Sequence, residues 1–164
     1  MRKKFLLTMF SLVLFAFCGT SLHAQNVAKV GNIEYAKIDD AIANWTNGTT
    51  LTLLADVQLS DVIKLSSTEY HILDLGTYTM TAAKNKDAIQ YVVNGRSSAS
   101  YALDIKADAN NPGGITAKGK ACIYYKKSGS EKDRPIILIN NGVHLNARHK
   151  HICYIFKFCF FFIC

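Results

Sequence analysis

The sequence predicts a mainly β chain with one short helix near its N-terminus, and three observations predict it. Apolar and polar residues alternate at period two in short runs, as in Leu51, Leu53, Ala55, Val57 and Leu59. The runs are followed by Gly, Asn or Ser, residues that turn a chain. Only Ile38, Ala41, Ile42 and Trp45 recur at i, i+3, i+4 and i+7, the spacing of one helical face. At 164 residues the chain is one domain's worth.

Residues 1–24 read as a secretory signal peptide. Arg2, Lys3 and Lys4 precede an apolar run from Phe5 to Phe17, and Ser21-Leu22-His23-Ala24 supplies a small-residue cleavage site. A run of thirteen residues falls short of a membrane span. Cleavage after Ala24 leaves Gln25 first, in an exported chain destined for the periplasm, the outer cell surface or the medium. Cys18 is a poor lipidation site, because Phe17 stands where a small residue belongs.

Residues 25–147 form the body. Val27 and Val30, then Ile33 and Tyr35, suit short strands meeting at the turn pair Gly31-Asn32. The helix follows, with Asp39 and Asp40 in its first turn, opposite the positive end of the dipole. Asn47-Gly48 is placed at its end, making it about ten residues long and too short to stand alone. It must cover the strand from Leu51 to Leu59, in which Leu54 breaks the alternation and marks a bend. Further strands centre on Leu73 and Leu75, Leu103 and Ile105, Ile123 and Tyr125, Ile137 and Ile139, and Val143 and Leu145. Asn-Gly recurs at 47, 94 and 141. Two coils of about twenty-three residues would produce that interval, and so would chance recurrence of a common turn dipeptide.

The order strand, helix opening Asp-Ala-Ile, Asn-Gly, Thr-Leu-Leu-x-Asp-Val, then Leu-Asp-Leu-Gly-x-Tyr-Thr-Met-Thr resembles the N-terminal cap and first coils of secreted bacterial pectin-lyase-like proteins. The resemblance is carried by Val27 to Thr81. It implies an incomplete right-handed parallel β-helix with one short N-terminal capping α-helix. It also implies a non-catalytic surface adhesin or glycan-contacting scaffold, or alternatively the N-terminal fragment of a polysaccharide lyase or hydrolase lacking its active-site coils. Two departures stand out. Lys37 replaces the Ser or Thr of a capping box, and the intervals from Leu73 to Leu103 to Ile137 are unequal.

Charge argues against nucleic acid as a partner. The terminal segments hold six of the nineteen basic residues, leaving thirteen Lys and Arg against twelve acids between Gln25 and Ala147. Lys118, Lys120, Lys126 and Lys127 read as a solvated sheet face. The implied partner is a polysaccharide or cell-surface glycan. Six carboxylates, Asp56, Asp61, Asp74, Asp87, Asp104 and Asp108, are the candidates for acid chemistry, yet none is paired by spacing. Asp74 and Asp104 sit alike between apolar neighbours and are expected to form an outward polar ladder on adjacent coils. His144 reads as a solvent-facing strand residue, and Tyr91, Tyr101, Tyr124 and Tyr125 could stack on sugar rings. Cys122 is the body's one cysteine and reads as a small buried hydrophobe. The sequence assigns no catalytic, cofactor-binding or metal-binding residue and implies no cofactor.

Residues 148–164 differ in kind, with five Phe, three Cys and no acid. They read as an aberrant tail, the product of a frame shift or broken gene near Arg148. The rival reading, a membrane anchor, offers thirteen residues from Ile152 with Lys157 among them, against roughly twenty for a helical span. A coil stack cut there would present an open end and self-associate through it.

Overall fold

The computed structural model describes residues 25–66, 68–94, 103–128, 137–140 and 142–147. The signal-peptide reading of 1–24 and the reading of 148–164 as a foreign tail lie outside the described residues. Within them the chain is mainly β, as the alternation predicts, and its sheets are largely parallel.

In chain order the elements are β1 (Ala28–Val30), β2 (Ile33–Tyr35), α1 (Ile38–Ala43), β3 (Thr50–Leu53), β4 (Val57–Gln58), β5 (Ile63–Ser66) and β6 (His71–Asp74). They continue with β7 (Thr79–Thr81), β8 (Ile89–Asn94), β9 (Leu103–Lys106), β10 (Gly114–Ala117), β11 (Ile123–Ser128), β12 (Ile137–Ile139) and β13 (His144–Ala147). The first sheet runs β12-β9-β6-β3-β1-β2, the second β13-β10-β7-β4 and the third β11-β8-β5. From β3 onward the chain deals strands to the three sheets in rotation, so sheet neighbours are three strands apart and parallel. β1 breaks the pattern, pairing antiparallel with both β2 and β3.

Period-two alternation explains the core. In the first sheet Leu51, Leu73, Ile105 and Ile139 stand in register, and in the second Val57, Met80, Ile115 and Leu145 do so. In the third, Ile63, Ile89 and Ile123 align. Leu73, Ile105, Met80 and Ile115 are fully buried, while Leu145 on the outermost strand is 37% exposed among the described residues. Each buried Leu or Ile contributes about 2 kcal/mol of apolar burial.

Acceptor side chains near the strand ends tie segments that are distant in sequence. Asn47 Oδ1 accepts from the Tyr70 amide (2.8 Å), Asp56 Oδ1 from Thr79 (2.7 Å) and Asp87 Oδ1 from Ala121 (3.0 Å). Asp87→Ala strands the Ala121 amide and is expected to reduce stability by about 1.5 kcal/mol, whereas Asp87→Asn, which keeps an acceptor oxygen, should restore most of it. Paired thermal melts check this, and equal losses in both variants would count against the Asp87 bond.

Several expectations are corrected. The helix is six residues, not about ten, and Trp45 lies beyond it. The amides of Asn44 and Trp45 bond to Ala41 and Ile42 three residues back, which tightens the last turn, and Asn44 Nδ2 donates to the Asp40 carbonyl (2.8 Å). Gly48, with φ of 78°, therefore serves the turn into β3 and not the helix end. The stretch Leu51 to Leu59 is two strands in two different sheets, broken at Leu54, where the alternation fails. Leu73 aligns with Ile105, not Leu103. The steps along that row, from Leu51 to Leu73 to Ile105 to Ile139, are 22, 32 and 34 residues, which excludes an even repeat of twenty-three.

Candidate functional site

The six candidate carboxylates do not converge. Asp56 and Asp87 tie strand ends, and Asp74 Oδ1 accepts from the Gly76 amide two residues on (3.0 Å). Asp61 Oδ1 accepts from Lys86 Nζ and the Val62 amide, and the Lys86 bond leads in holding this exposed carboxyl below its ordinary range. Asp108 Oδ1 takes the amides of Asn110 (2.7 Å) and Asn111 (3.0 Å), which lower it likewise. Among the described residues no three His, Cys, Asp or Glu side chains gather as a metal site.

The expected Asp74–Asp104 ladder is not formed. Asp74 pairs in register with Lys106, and Asp104 lies between Ile72 and Leu138. Asp104 is also buried, 8% exposed, with Oδ1 accepting from Asn140 Nδ2 (2.6 Å) and Oδ2 facing Lys106 Nζ at 3.4 Å. The two-residue slip follows from the Leu73–Ile105 register, which equal spacing of short apolar runs could not reveal.

Of the aromatics, Tyr91 is fully buried and so is withdrawn from sugar stacking. Tyr124 is half-buried, Tyr125 belongs to β11, and Tyr101 lies outside the described residues. Lys118 and Lys120 are exposed on a turn rather than a strand, and Lys126 and Lys127 belong to β11. Cys122 is buried, its thiol donating to the Ile115 carbonyl (3.1 Å), and burial pushes it up to about 11, which makes it a poor nucleophile.

The second sheet carries the most regular outer face. Gln58, Thr81, Thr116 and Asn146 stand in register across its four strands, and Thr79, Gly114 and His144 form a parallel row. Gln58 and Asn146 are exposed, Thr81 and Thr116 half-buried, and His144 is exposed as the alternation predicts. Gln58 Nε2 donates to the Ala82 carbonyl (2.7 Å), fixing the amide against the next strand. At the β10–β13 end an open groove of about 370 Å³ is lined by Thr116, Ala117, Lys118 and Asn146. Strand spacing sets these hydroxyls and amides about 4.8 Å apart. Such a row can exchange hydrogen bonds with a polyhydroxylated chain, and Lys118 adds one positive charge at the groove.

One residue that the sequence reading passed over is His71. It begins β6 on the inward parity of Leu73 and Leu75, and that parity in His-Ile-Leu-Asp-Leu was the available signal. The imidazole is 2% exposed, in the row continued by Leu103 and Ile137. The Trp45 ring meets it edge-on at 5.0 Å between centroids, with Trp45 Nε1 donating to the Thr49 carbonyl (3.0 Å). Its Nδ1 is buried without a hydrogen-bond partner, and Nε2 lies 3.7 Å from Glu69 Oε2. Burial lowers its proton affinity below the ordinary histidine range; the Glu69 charge and the backbone at Trp45 oppose this in smaller measure.

Comparison of the chain with protein-family models, with curated proteins and with solved structures finds no match to any of them.

Proposed function

We propose that this chain is an exported right-handed parallel β-helix module whose regular outer faces act as a glycan-contacting scaffold or surface adhesin, with no catalytic activity of its own. The observation that supports it most is the dealing of strands to three sheets in rotation, with neighbours three strands apart and parallel. A chain wound in one direction around a common core accounts for that order, and α1 with Trp45 then closes its first end. Export is supported by the basic, apolar and small-residue regions of residues 1–24.

The outer face of the second sheet is the proposed contact surface. Its in-register amides and hydroxyls suit a neutral or weakly acidic polysaccharide lying across the strands, with one end at the Thr116, Lys118 and Asn146 groove. The full chain, immobilised and exposed to a panel of soluble polysaccharides, is expected to retain at least one of them. Asn146→Ala should weaken that binding roughly fivefold, the equivalent of about one hydrogen bond. Absence of binding across the panel would remove the glycan reading. Release of an unsaturated, ultraviolet-absorbing product would replace the scaffold by a lyase.

A further inference from the structure

We propose that His71 and Trp45 form an acid-sensitive latch, which holds the cap segment Ile38–Trp45 against the first round of strands while the imidazole is neutral and releases it when the imidazole takes a proton. The argument is local to this corner and stands apart from any glycan role.

An inward row of the first sheet reads His71, Leu103 and Ile137, so a titratable ring occupies a position that later rounds fill with aliphatic side chains. It occupies it only where the cap lies, in edge contact with Trp45. A neutral imidazole fits there as a flat apolar body. A protonated one places a charge in a site 2% exposed, where Nδ1 already lacks a hydrogen-bond partner.

The surrounding charges do little to offset this. On the turn before β6, Glu69 lies 3.7 Å from Nε2, longer than a hydrogen bond, with its side chain 47% exposed to water. From the cap, Asp39 and Asp40 are exposed, and Asp39 Oδ1 is engaged by Ser60 Oγ (2.8 Å). β3 carries no ionisable side chain, reading Thr-Leu-Thr-Leu. On β9, Asp104 pairs with Ile72 and is engaged by Asn140 and Lys106.

The direction of the pH effect follows from the depressed proton affinity of the buried ring. Above the ordinary histidine range the ring is neutral whether the cap is closed or open, and pH has no leverage. Below it the open form binds the proton and the closed form resists, so the closed-to-open ratio falls about tenfold per pH unit until the closed form also protonates. Beyond this contact the cap is held by the buried Ile38 and Ala41 and the Asp39–Ser60 bond, since a six-residue helix does not persist alone in water.

Trp45 is the chain's single tryptophan and reports the contact directly. Fluorescence of the full chain, titrated from pH 8 to pH 4.5, is expected to show a reversible red shift with a midpoint below the ordinary histidine range, while the far-ultraviolet strand signal persists. His71→Leu, which copies Leu103 of the next round, should keep the blue-shifted emission across the titration. Glu69→Gln removes the one charge that favours the protonated ring in the closed form, so the closed form resists the proton more and the midpoint should stay in place or move to higher pH. A red shift that persists unchanged in His71→Leu would overturn the latch. So would loss of the strand signal in step with the Trp45 signal, or a Glu69→Gln midpoint displaced downward.

Discussion

Trp45→Ala is expected to destabilise the chain by about 3–5 kcal/mol, the range for removing a large buried aromatic. Trp45 is 6% exposed, packs with Ile38 and Ala41 in the core, and gives its Nε1 proton to the Thr49 carbonyl. Truncation leaves a cavity beside Ile38 and Ala41, a Thr49 carbonyl reduced to its bond from the Ile72 amide (3.3 Å) and a helix too short to hold itself in place. Domains of this size are stable by about 5–15 kcal/mol, so a large share would be lost. Urea unfolding followed by circular dichroism measures it, and a loss under about 1 kcal/mol would show that Trp45 does not anchor the cap.

Gly113→Ala is expected to cost about 3 kcal/mol, although the position looks from sequence like spare loop. A Cβ there would stand 2.5 Å from the Tyr78 carbonyl oxygen and 2.8 Å from that of Gly76, both backbone atoms that cannot swing aside. The two hydrogen bonds that dock this segment, Gly113 to Gly76 (3.1 Å) and Gly114 to Tyr78 (3.0 Å), would stretch together. Overpacking of 1–3 kcal/mol and about 1 kcal/mol for a weakened hydrogen bond set the scale. The effect should appear as a lower melting temperature, while Pro112→Ala beside it changes little. Equal behaviour of the two variants would mean that the segment can shift to admit the methyl group.

Strand positions were legible because period two is a local property: Leu51 and Leu53, Leu73 and Leu75, Leu103 and Ile105 all point inward as their alternation requires. The Gly31 turn between β1 and β2 was legible for the same reason, a single residue with φ of 58° between two short apolar runs. Register was not legible. Which leucine of one strand meets which residue of its sheet neighbour depends on the connections between them, and those vary independently of the strands. That is why Asp74 and Asp104, alike in their immediate neighbours, sit two positions apart in the sheet. The helix was overestimated because Trp45 keeps helical spacing with Ile38 although the chain has already left the helix at Asn44. His71 was missed because a histidine carries no apolar weight in a pattern count, even when its parity places it in the core.

The unequal steps of 22, 32 and 34 residues along the Leu51 row have a consequence for how this chain can vary. The entropy lost on closing a flexible loop grows only with the logarithm of its length, so going from 22 to 34 residues costs about 0.4 kcal/mol. A slip of one residue within a strand is a different matter, since it would turn Leu73 outward and draw Asp74 in. Insertions between strands are thus nearly neutral for this chain and shifts within them are severe. New surface can be added at the connections while the rows of inward side chains stay where they are.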